Sequence, residues 1–348
     1  MPDVHCYTSI SLTYLSRARV LAETLRKHHP DWTLWLCVSD LEPDGFRLSE
    51  VDHGFDRVLW ARDLPIDSLQ GWIYRHNVIE LCTAVKGFFL ETILDQGADL
   101  VFYIDPDIAL FNDLTVAVDA LATSDIVLTP HLTEAEQKTR NMWENERSAL
   151  LHGVYNLGFL GVRNSKTGRQ FASWWKQRLE AYCFEAVTEG IYTDQRWCDL
   201  VPALFDGVSV LRDPGLNVAS WNLSARPVTF DRDGALFAGS APLRFYHFTK
   251  ITQAGEAMVD RYAGRSSAIF ELVRWYRSRV DAFEDSRLIG YWAYGVYTDG
   301  TPIEYRDRVL YRRRRDLQED FPNPFRANSF LRWLKSNGAG LDAPGSAS

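Results

Sequence analysis

Apolar and polar positions at the start of the chain follow the pattern of two strands around a helix. Residues 4–10 and 33–39 are short β-rich runs of the length expected for buried strands. Between them, residues 14–29 carry apolar side chains at helical spacing: Leu15, Ala18, Leu21, Ala22 and Leu25. A strand, a helix and a second strand in this order predict a parallel sheet in an α/β fold.

Later segments continue this alternation, although residues 41–75 have no clear periodicity and are predicted to be irregular. The predicted elements are helices at 76–95 and 167–183 and strands at 100–104, 125–130, 153–163, 208–211 and 243–248. From about residue 262 the pattern is helical and aromatic. Residues 338–348 are rich in Gly, Ala and Ser and are predicted to be a disordered tail.

Composition excludes several classes of protein. The chain has 348 residues, of which 46% are apolar, so wholesale disorder is excluded. Its 38 Lys and Arg against 46 Asp and Glu give a net charge of −8, and we therefore expect no nucleic-acid partner. The N-terminus lacks the pattern of a signal peptide, and no apolar run approaches the roughly 20 residues that span a bilayer.

Cysteine usage indicates the compartment. The five cysteines are scattered and form no CxxC pair; they are Cys6, Cys37, Cys82, Cys183 and Cys198. Neither a disulfide framework nor a thiolate zinc site is predicted. A reducing cytosol suits such a chain best, so a cytoplasmic location is expected.

A pair of aspartates directly follows the predicted strand at 100–104. Asp105 and Asp107 flank a proline there, and ligands of open α/β sheets bind outside the carboxyl ends of strands. Two carboxylates on such a turn can converge on Mg²⁺ or Mn²⁺. The other D-x-D, Asp231 and Asp233, lies in an ordinary polar turn. The alternative is that Asp105-Pro-Asp107 is only a strand-end turn.

Three basic or imidazole side chains are further candidates. His247 ends an apolar run and can complete a metal site, although a lone histidine after aromatic residues is more often a core residue. Lys250, three residues later, can reach a phosphate. Lys86 lies amid apolar neighbours, so it either snorkels to the surface or meets a buried anion.

Missing motifs narrow the chemistry. The chain has no GxSxG, P-loop, HExxH or GxGxxG motif, which argues against a dinucleotide-binding dehydrogenase. A nucleotidyltransferase needs a glycine-rich, basic loop after the first strand. The segment CYTSISLTYL has neither glycine nor lysine, so this alternative is disfavoured.

Several longer motifs occur in a fixed order: HHPDW, WLCVSD, ELCTAVKGFFLETIL, VFYIDPDIALFNDL, GVYNLGFLGVRNS, YTDQRWCDLVPALF, GLNVASWNL and FYHFTK. Over roughly residues 4–250 the chain thereby resembles retaining sugar-nucleotide glycosyltransferases of the GT-A fold, family 8-like, of the bacterial surface-polysaccharide type. The resemblance implies a mixed, mainly parallel central sheet flanked by helices, with a helical C-terminal extension. It implies a catalytic domain at 1–260, with a nucleotide-binding half at about 1–110 and an acceptor half at about 111–260, and a helical region at 261–337.

The resemblance also implies which residues bind the donor. Mn²⁺ (or Mg²⁺) is expected at Asp105, Asp107 and His247. The nucleotide-diphosphate sugar, expected to be a UDP-sugar, is assigned to Tyr7, Thr8, Ser9, Lys86, Asp105 and Lys250. The chain departs from the family in two places: Lys86 stands where the family often has Arg, and the usual Gly after the histidine is absent.

Catalytic roles follow from the same resemblance. Asn156 matches the donor-sugar region, Asp194 is expected to bind sugar hydroxyls, and Gln195 is expected to steady the oxocarbenium-like centre. Retention by same-face attack, assisted by the leaving diphosphate, is favoured over a covalent intermediate. The alternative for Asp194 is that it only caps the helix that starts near Gln195.

Acceptor and sugar contacts are assigned to Asn217, Trp221 and Asn222, because Trp offers an apolar face and Asn offers paired donors and acceptors. Core packing is the alternative for Trp221. The C-terminal residues 312–335 combine a basic run with Phe325, Phe330, Leu331 and Leu334. They predict either peripheral contact with an anionic membrane or, more favoured, a helix packed on the rest of the chain.

Together these observations predict a metal-dependent glycosyltransferase that moves a hexose from a nucleotide-diphosphate sugar to an acceptor hydroxyl. A saccharide or lipid-linked saccharide in cell-surface polysaccharide or glycolipid synthesis is the expected acceptor, by resemblance. The enzyme is expected in the cytoplasm or on the inner face of the membrane. The alternatives are a sugar-nucleotide-binding protein without turnover, a nucleotidyltransferase, and a transferase acting on a protein or small-molecule acceptor.

Overall fold

A seven-stranded sheet forms the centre of the computed structural model, which describes residues 2–249, 253–263 and 267–337. Its strands are β1 Val4–Ile10, β2 Thr33–Val38, β3 Arg57–Trp60, β4 Leu100–Ile104, β6 Ile126–Pro130, β7 Tyr155–Arg163 and β10 Val208–Val210. Their spatial order is β10-β6-β7-β4-β1-β2-β3. Neighbouring strands are parallel except at β7, which is antiparallel to both β4 and β6. The predicted mixed, mainly parallel sheet is therefore confirmed.

Three smaller sheets complete the strand structure of the described residues. Their strands are β5 Ile108–Leu110, β8 Glu185–Ala186, β9 Ile191–Tyr192, β11 Val218–Ala219, β12 Val228–Phe230, β13 Leu236–Ala238, β14 Ala241–Pro242 and β15 Phe245–His247. In the order β11-β15-β5, the central strand β15 is antiparallel to β5, and His247 pairs with Ile108. This register brings His247 next to the turn that follows β4.

Helices flank the sheets, as predicted. They are α1 Leu15–His28, α2 Leu69–Tyr74, α3 Val78–Ala84, α4 Lys86–Asp95, α5 Thr115–Thr123, α6 Thr139–Asn141, α7 Arg147–His152, α8 Lys166–Tyr182, α9 Gln195–Cys198, α10 Val201–Leu204, α11 Gln253–Tyr262, α12 Ala268–Ala282, α13 Tyr305–Arg313, α14 Arg315–Asp320 and α15 Arg332–Asn337. Short π-helical turns join α6 to α7 and precede α15.

Two predicted segments differ from the structure. The single helix at 76–95 is two helices, α3 and α4, which meet at Val85. A capping box of Asn77 and Glu80 starts the first of them, which fixes its beginning two residues later than predicted. The irregular segment at 41–75 contains β3 and α2, elements of four and six residues that are too short for a periodic signal.

The C-terminal helices share the core of the sheet domain. Tyr311, Phe325, Phe330 and Leu331 belong to the same apolar cluster as residues of β1 and of α2–α4. Phe330 and Leu331 are 0% and 6% exposed. These side chains are therefore buried against the protein, as the favoured interpretation of 312–335 expected, and the less favoured prediction of an apolar surface facing a membrane is corrected.

The basic run that starts at Arg312 is likewise engaged with the protein. Arg312 forms a buried ion pair with Glu80, and Arg313 pairs with Glu189 at the surface. Within the described part of the chain, no helix has the length and apolar character that crossing a bilayer requires. The predicted tail at 338–348 lies outside the described residues.

Candidate metal and donor site

Two strand ends meet at the turn that carries the D-x-D residues. The backbone N–H of Asp105 donates to the carbonyl of Gly158 on β7 at 2.8 Å, and that of Ile108 donates back to Asp105 at 3.1 Å. The N–H of Phe248, just after β15, donates to the carbonyl of Asp107 at 2.8 Å. The turn is thus fixed by β7 on one side and by β15, with His247, on the other.

Asp105, Asp107 and His247 converge on one point. His247 Nε2 lies 3.0 Å from Asp107 Oδ1 and 3.6 Å from Asp105 Oδ2. One ligand atom from each residue can be chosen so that all three lie within 4.8 Å of one another. Two carboxylate oxygens and an imidazole nitrogen form a donor set suited to Mn²⁺ or Mg²⁺. The three residues therefore fit a divalent cation.

The carboxylates of this cluster attract positive charge. Burial opposes charge on both partners, but the mutual attraction of Asp107 and His247 outweighs it. The pKa of His247 is therefore raised and the pKa of Asp107 is lowered. His247 Nδ1 is buried and has no hydrogen-bond partner among the described residues.

Gly158 leaves room for the cluster, and the sequence analysis did not identify it. A Cβ atom at this position would lie 2.6 Å from His247 Cε1, 2.7 Å from Asn156 Oδ1 and 2.9 Å from Asp105 Oδ2. Any other residue would occupy the space that these three groups face. A glycine inside an apolar strand, two residues after Asn156, is the signal that indicates such a close approach.

Lys86 contacts the carboxylates of Asp105 and Asp194. The interpretation that it meets a buried anion is therefore correct, and the interpretation that it snorkels to the surface is wrong. Its Nζ donates to Asp194 Oδ2 at 2.9 Å and to the Leu157 carbonyl at 3.2 Å, and lies 3.5 Å from Asp105 Oδ1. The residue is 5% exposed. Burial alone would lower the pKa of Lys86, but the carboxylates of Asp105 and Asp194 outweigh it and raise the pKa. A permanent cation therefore links the cluster to Asp194.

Asp194 occupies the N-cap position of α9 but makes no side-chain capping bond. Its carboxylate instead accepts from Lys86 and from Thr193 Oγ1, the latter at 3.2 Å. Burial raises the pKa of Asp194, and Lys86 offsets part of that effect. The interpretation of Asp194 as only a helix cap is therefore wrong.

Gln195 and Asn156 lie side by side. Gln195 Oε1 accepts from Asn156 Nδ2 and from the backbone N–H of Leu157, both at 3.3 Å, and Gln195 Nε2 donates to the His152 carbonyl at 3.3 Å. Asn156 Oδ1 accepts from the N–H of Gly158 at 3.1 Å. Asn156 and Asp105 both lie against Gly158, and Lys86 contacts both Asp105 and Asp194. The residues assigned to catalysis therefore lie next to those assigned to the metal.

The residues assigned to the acceptor adjoin His247. The Trp221 ring lies edge-on to the His247 ring, with centroids 5.5 Å apart. Asn222 Nδ2 donates to the carbonyls of Asn217 and His131, and Asn222 Oδ1 accepts from the N–H of Ala219. Asn217 Nδ2 donates to the Pro130 carbonyl at 3.2 Å. The backbone of Asn217 adopts the left-handed conformation, with a φ of +53°. Both asparagines therefore hold the loop that presents Trp221.

The residues of β1 assigned to the nucleotide are buried. The Tyr7 hydroxyl donates to the Lys86 carbonyl at 3.0 Å, so Tyr7 positions the helix start that carries this lysine. Thr8 Oγ1 and Ser9 Oγ are buried without a partner in the described part of the chain. Lys250 lies outside the described residues.

His131 is a site residue that sequence reasoning missed. Its Nε2 lies 3.2 Å from Asn156 Nδ2, and its ring centroid is 5.5 Å from that of Trp221. Burial lowers the pKa of His131 to about 4, so the imidazole is neutral at physiological pH. No ligand-type spacing marks this residue, and only the folded loop brings it to the site.

No protein-family model matches the chain. It is similar to two uncharacterized proteins of Bacillus subtilis (strain 168). It is 27% identical to YfnD over 261 residues, covering 74% of this chain and 80% of YfnD. It is 29% identical to YfnF over 180 residues, which are 49% of this chain and only 56% of YfnF.

Among solved structures, the chain is similar to the galactosyltransferase LgtC in complex with donor and acceptor sugar analogs. The match has 15% identity and a TM-score of 0.48, and it covers 80% of this chain and 95% of LgtC. It is also similar to the glycosyltransferase GlyE of Streptococcus pneumoniae TIGR4, with 16% identity and a TM-score of 0.47, over 83% of this chain and 62% of GlyE. Both TM-scores lie below 0.5.

Proposed function

We propose that the chain is a metal-dependent glycosyltransferase that moves a hexose from a nucleotide-diphosphate sugar to an acceptor hydroxyl with retention of configuration. The observation that carries this proposal is the convergence of Asp105, Asp107 and His247 beside the buried Lys86–Asp194 pair. A cation site and an adjoining polar wall at strand ends suit a ligand with a diphosphate at one end and a sugar at the other.

Each residue has a distinct part in this proposal. Asp105, Asp107 and His247 would hold Mn²⁺ or Mg²⁺, which would supply positive charge to offset the negative charge of the departing diphosphate. Lys86 adds a fixed positive charge, and Asp194 accepts hydrogen bonds from sugar hydroxyls.

The pairing of Asp194 favours same-face attack over a covalent intermediate. Its Oδ2 is held by Lys86 at 2.9 Å, and an ion-paired carboxylate is a weaker nucleophile than a free one. Gln195, the other residue assigned to the reacting carbon, carries a neutral amide, which is a poor nucleophile. Neither side chain is therefore suited to form a covalent intermediate. In same-face attack the leaving diphosphate instead acts as the base that accepts the proton of the incoming hydroxyl.

For the acceptor we propose a saccharide that packs against Trp221, because this half-exposed indole lies beside His247 and offers an apolar face. A lipid-linked saccharide of cell-surface polysaccharide or glycolipid synthesis is the proposed source. The five cysteines are all free thiols, which supports a reducing, cytoplasmic location.

A turnover assay tests the proposal. The protein is incubated with UDP-, GDP-, ADP-, CDP- and dTDP-hexoses, with Mn²⁺ or with EDTA, and release of the nucleoside diphosphate is measured. We expect release from one nucleotide family, only with the metal, and an anomeric configuration in the product that NMR shows to be retained. Release that is equally fast in EDTA, or an inverted product, would contradict the proposal.

Replacing Gln195 with alanine is expected to lower kcat by about 100-fold while the donor KM changes little, because the amide acts on charge that develops in the transition state. Steady-state kinetics on the donor that the turnover assay selects measure both constants. Gln177→Ala on the exposed face of α8 is the matched control and should leave both unchanged. A rise in KM with an unchanged kcat would assign Gln195 to ground-state binding instead.

A further inference from the structure

Helix α1 runs along β5 toward the D-x-D turn. The backbone N–H of Leu110 donates to Thr24 Oγ1 at 3.1 Å, and that of Leu114 donates to His29 Nε2 at 2.8 Å. The helix and the chain from β5 onward therefore run in the same direction. Seven residues before Thr24 the helix is about 10 Å nearer its start, and three residues before Leu110 the chain has moved back by about 10 Å, to Asp107. The first turn of α1 is thus level with the metal cluster.

Arg17 is a partly exposed cation in that first turn, on the face of α1 that contacts β5. Its guanidinium lies 4.4 Å from the centre of the Tyr14 ring, and it forms no ion pair or hydrogen bond with any residue in the described ranges. Burial raises the pKa of Tyr14, Asp107 raises it further, and Arg17 opposes both effects. The cation and the aspartate therefore both lie within electrostatic reach of one hydroxyl, which places Arg17 on the Asp107 side of the cluster.

The charges of the residues already assigned to the cluster do not balance those of a diphosphate. Asp105, Asp107 and Asp194 contribute three negative charges. Lys86 contributes one positive charge, and His247 is neutral when it binds a metal. A divalent cation would bring the sum to zero, whereas a departing nucleoside diphosphate carries about three negative charges near pH 7. Stabilising that charge requires further cations beside the cluster.

We propose that Arg17 binds the diphosphate of the donor, an inference that rests on the proposed function and adds a residue to its site. Arg17 contacts the diphosphate from the Asp107 side, whereas Lys86 lies on the other side, 3.5 Å from Asp105. A guanidinium binds two phosphate oxygens by parallel hydrogen bonds. Stacking on Tyr14 leaves the N–H groups free for these bonds and restricts the motion of a long side chain, which reduces the entropy lost on binding.

Isothermal titration of the wild type and Arg17→Gln tests this assignment. With saturating MnCl₂, UDP, GDP, ADP, CDP and dTDP are titrated into the wild type, and the nucleotide that binds is used for the variants. We expect Arg17→Gln to weaken it about tenfold, through the loss of a charge-assisted contact. Arg17→Lys should recover part of the loss, because it keeps the charge but not the paired hydrogen bonds. Without nucleotide, Mn²⁺ should bind Arg17→Gln at least as tightly as the wild type, since removing a nearby positive charge favours a cation.

Arg19→Gln is the matched control. Arg19 lies two residues further along α1, on the opposite face, with its guanidinium 4.2 Å from the centre of the Phe283 ring, and the substitution should change neither affinity. Unaltered nucleotide affinity in Arg17→Gln would overturn the assignment of Arg17 and leave the proposed function standing. Weaker Mn²⁺ binding in Arg17→Gln would also overturn it, because Arg17 would then support the fold of the site. A wild type that binds none of the nucleotides would overturn the assignment together with the proposed function.

Discussion

Replacing Gly158 with alanine is expected to weaken Mn²⁺ binding by about 100-fold and to reduce metal-dependent turnover in proportion. The added Cβ would lie within 2.9 Å of Asp105 Oδ2 and within 2.6 Å of His247 Cε1. Since both residues are held by backbone bonds from neighbouring strands, their side chains must turn away from the shared point. Isothermal titration with MnCl₂ measures the affinity.

Gly161→Ala is the matched control, because it adds the same methyl group to the same strand. There the Cβ would meet Phe102 at 2.8 Å, inside the apolar core. This variant should lower the free energy of unfolding by about 1–3 kcal/mol while Mn²⁺ affinity stays within about twofold of the wild type. Equal Mn²⁺ affinity in Gly158→Ala and the wild type would mean that the cation binds elsewhere.

Replacing Arg312 with alanine is expected to lower the free energy of unfolding by about 3–5 kcal/mol. Arg312 Nη1 lies 3.1 Å from Glu80 Oε1, and Glu80 is 0% exposed. Without the guanidinium, the carboxylate remains buried in the protein with only neutral hydrogen-bond donors, among them Tyr305. Urea denaturation followed by circular dichroism measures the change.

Arg313→Ala removes the neighbouring guanidinium, whose ion pair with Glu189 is exposed on both sides, and should cost less than about 1 kcal/mol. Glu80→Gln introduced into Arg312→Ala should restore part of the lost stability, because it removes the unpaired charge. If Arg312→Ala destabilises no more than Arg313→Ala, then the C-terminal helices are not anchored through Glu80.

Regular elements with a complete periodic pattern were predictable from the sequence. The opening β1-α1-β2 unit and β4 were predicted to within one residue at each end, because their apolar positions follow one period without interruption. The break at Val85 was not predictable, since both α3 and α4 continue the same apolar pattern across it. β3 and α2 were missed because so few residues give no measurable period.

Site residues were predictable from the sequence where their position at the end of a strand was enough to identify them. Asp105 and Asp107 follow a buried strand, and strand ends are where α/β folds bind ligands. Lys86 was ambiguous, because its partners Asp194 and Leu157 are more than 70 residues away in sequence. Gly158 and His131 were missed because their roles depend on which side chains the fold brings beside them.

The melting temperature of the protein with UDP, GDP, ADP, CDP and dTDP, each with Mn²⁺ and with EDTA, tests the central claim most directly. A nucleotide at about 100 times its dissociation constant adds roughly 2.7 kcal/mol of stability. We predict a rise in melting temperature for one nucleotide, only with Mn²⁺, and none in Asp107→Ala. An equal rise in EDTA or in Asp107→Ala, or no rise with any nucleotide, would contradict a metal-dependent nucleotide-sugar site at Asp105, Asp107 and His247.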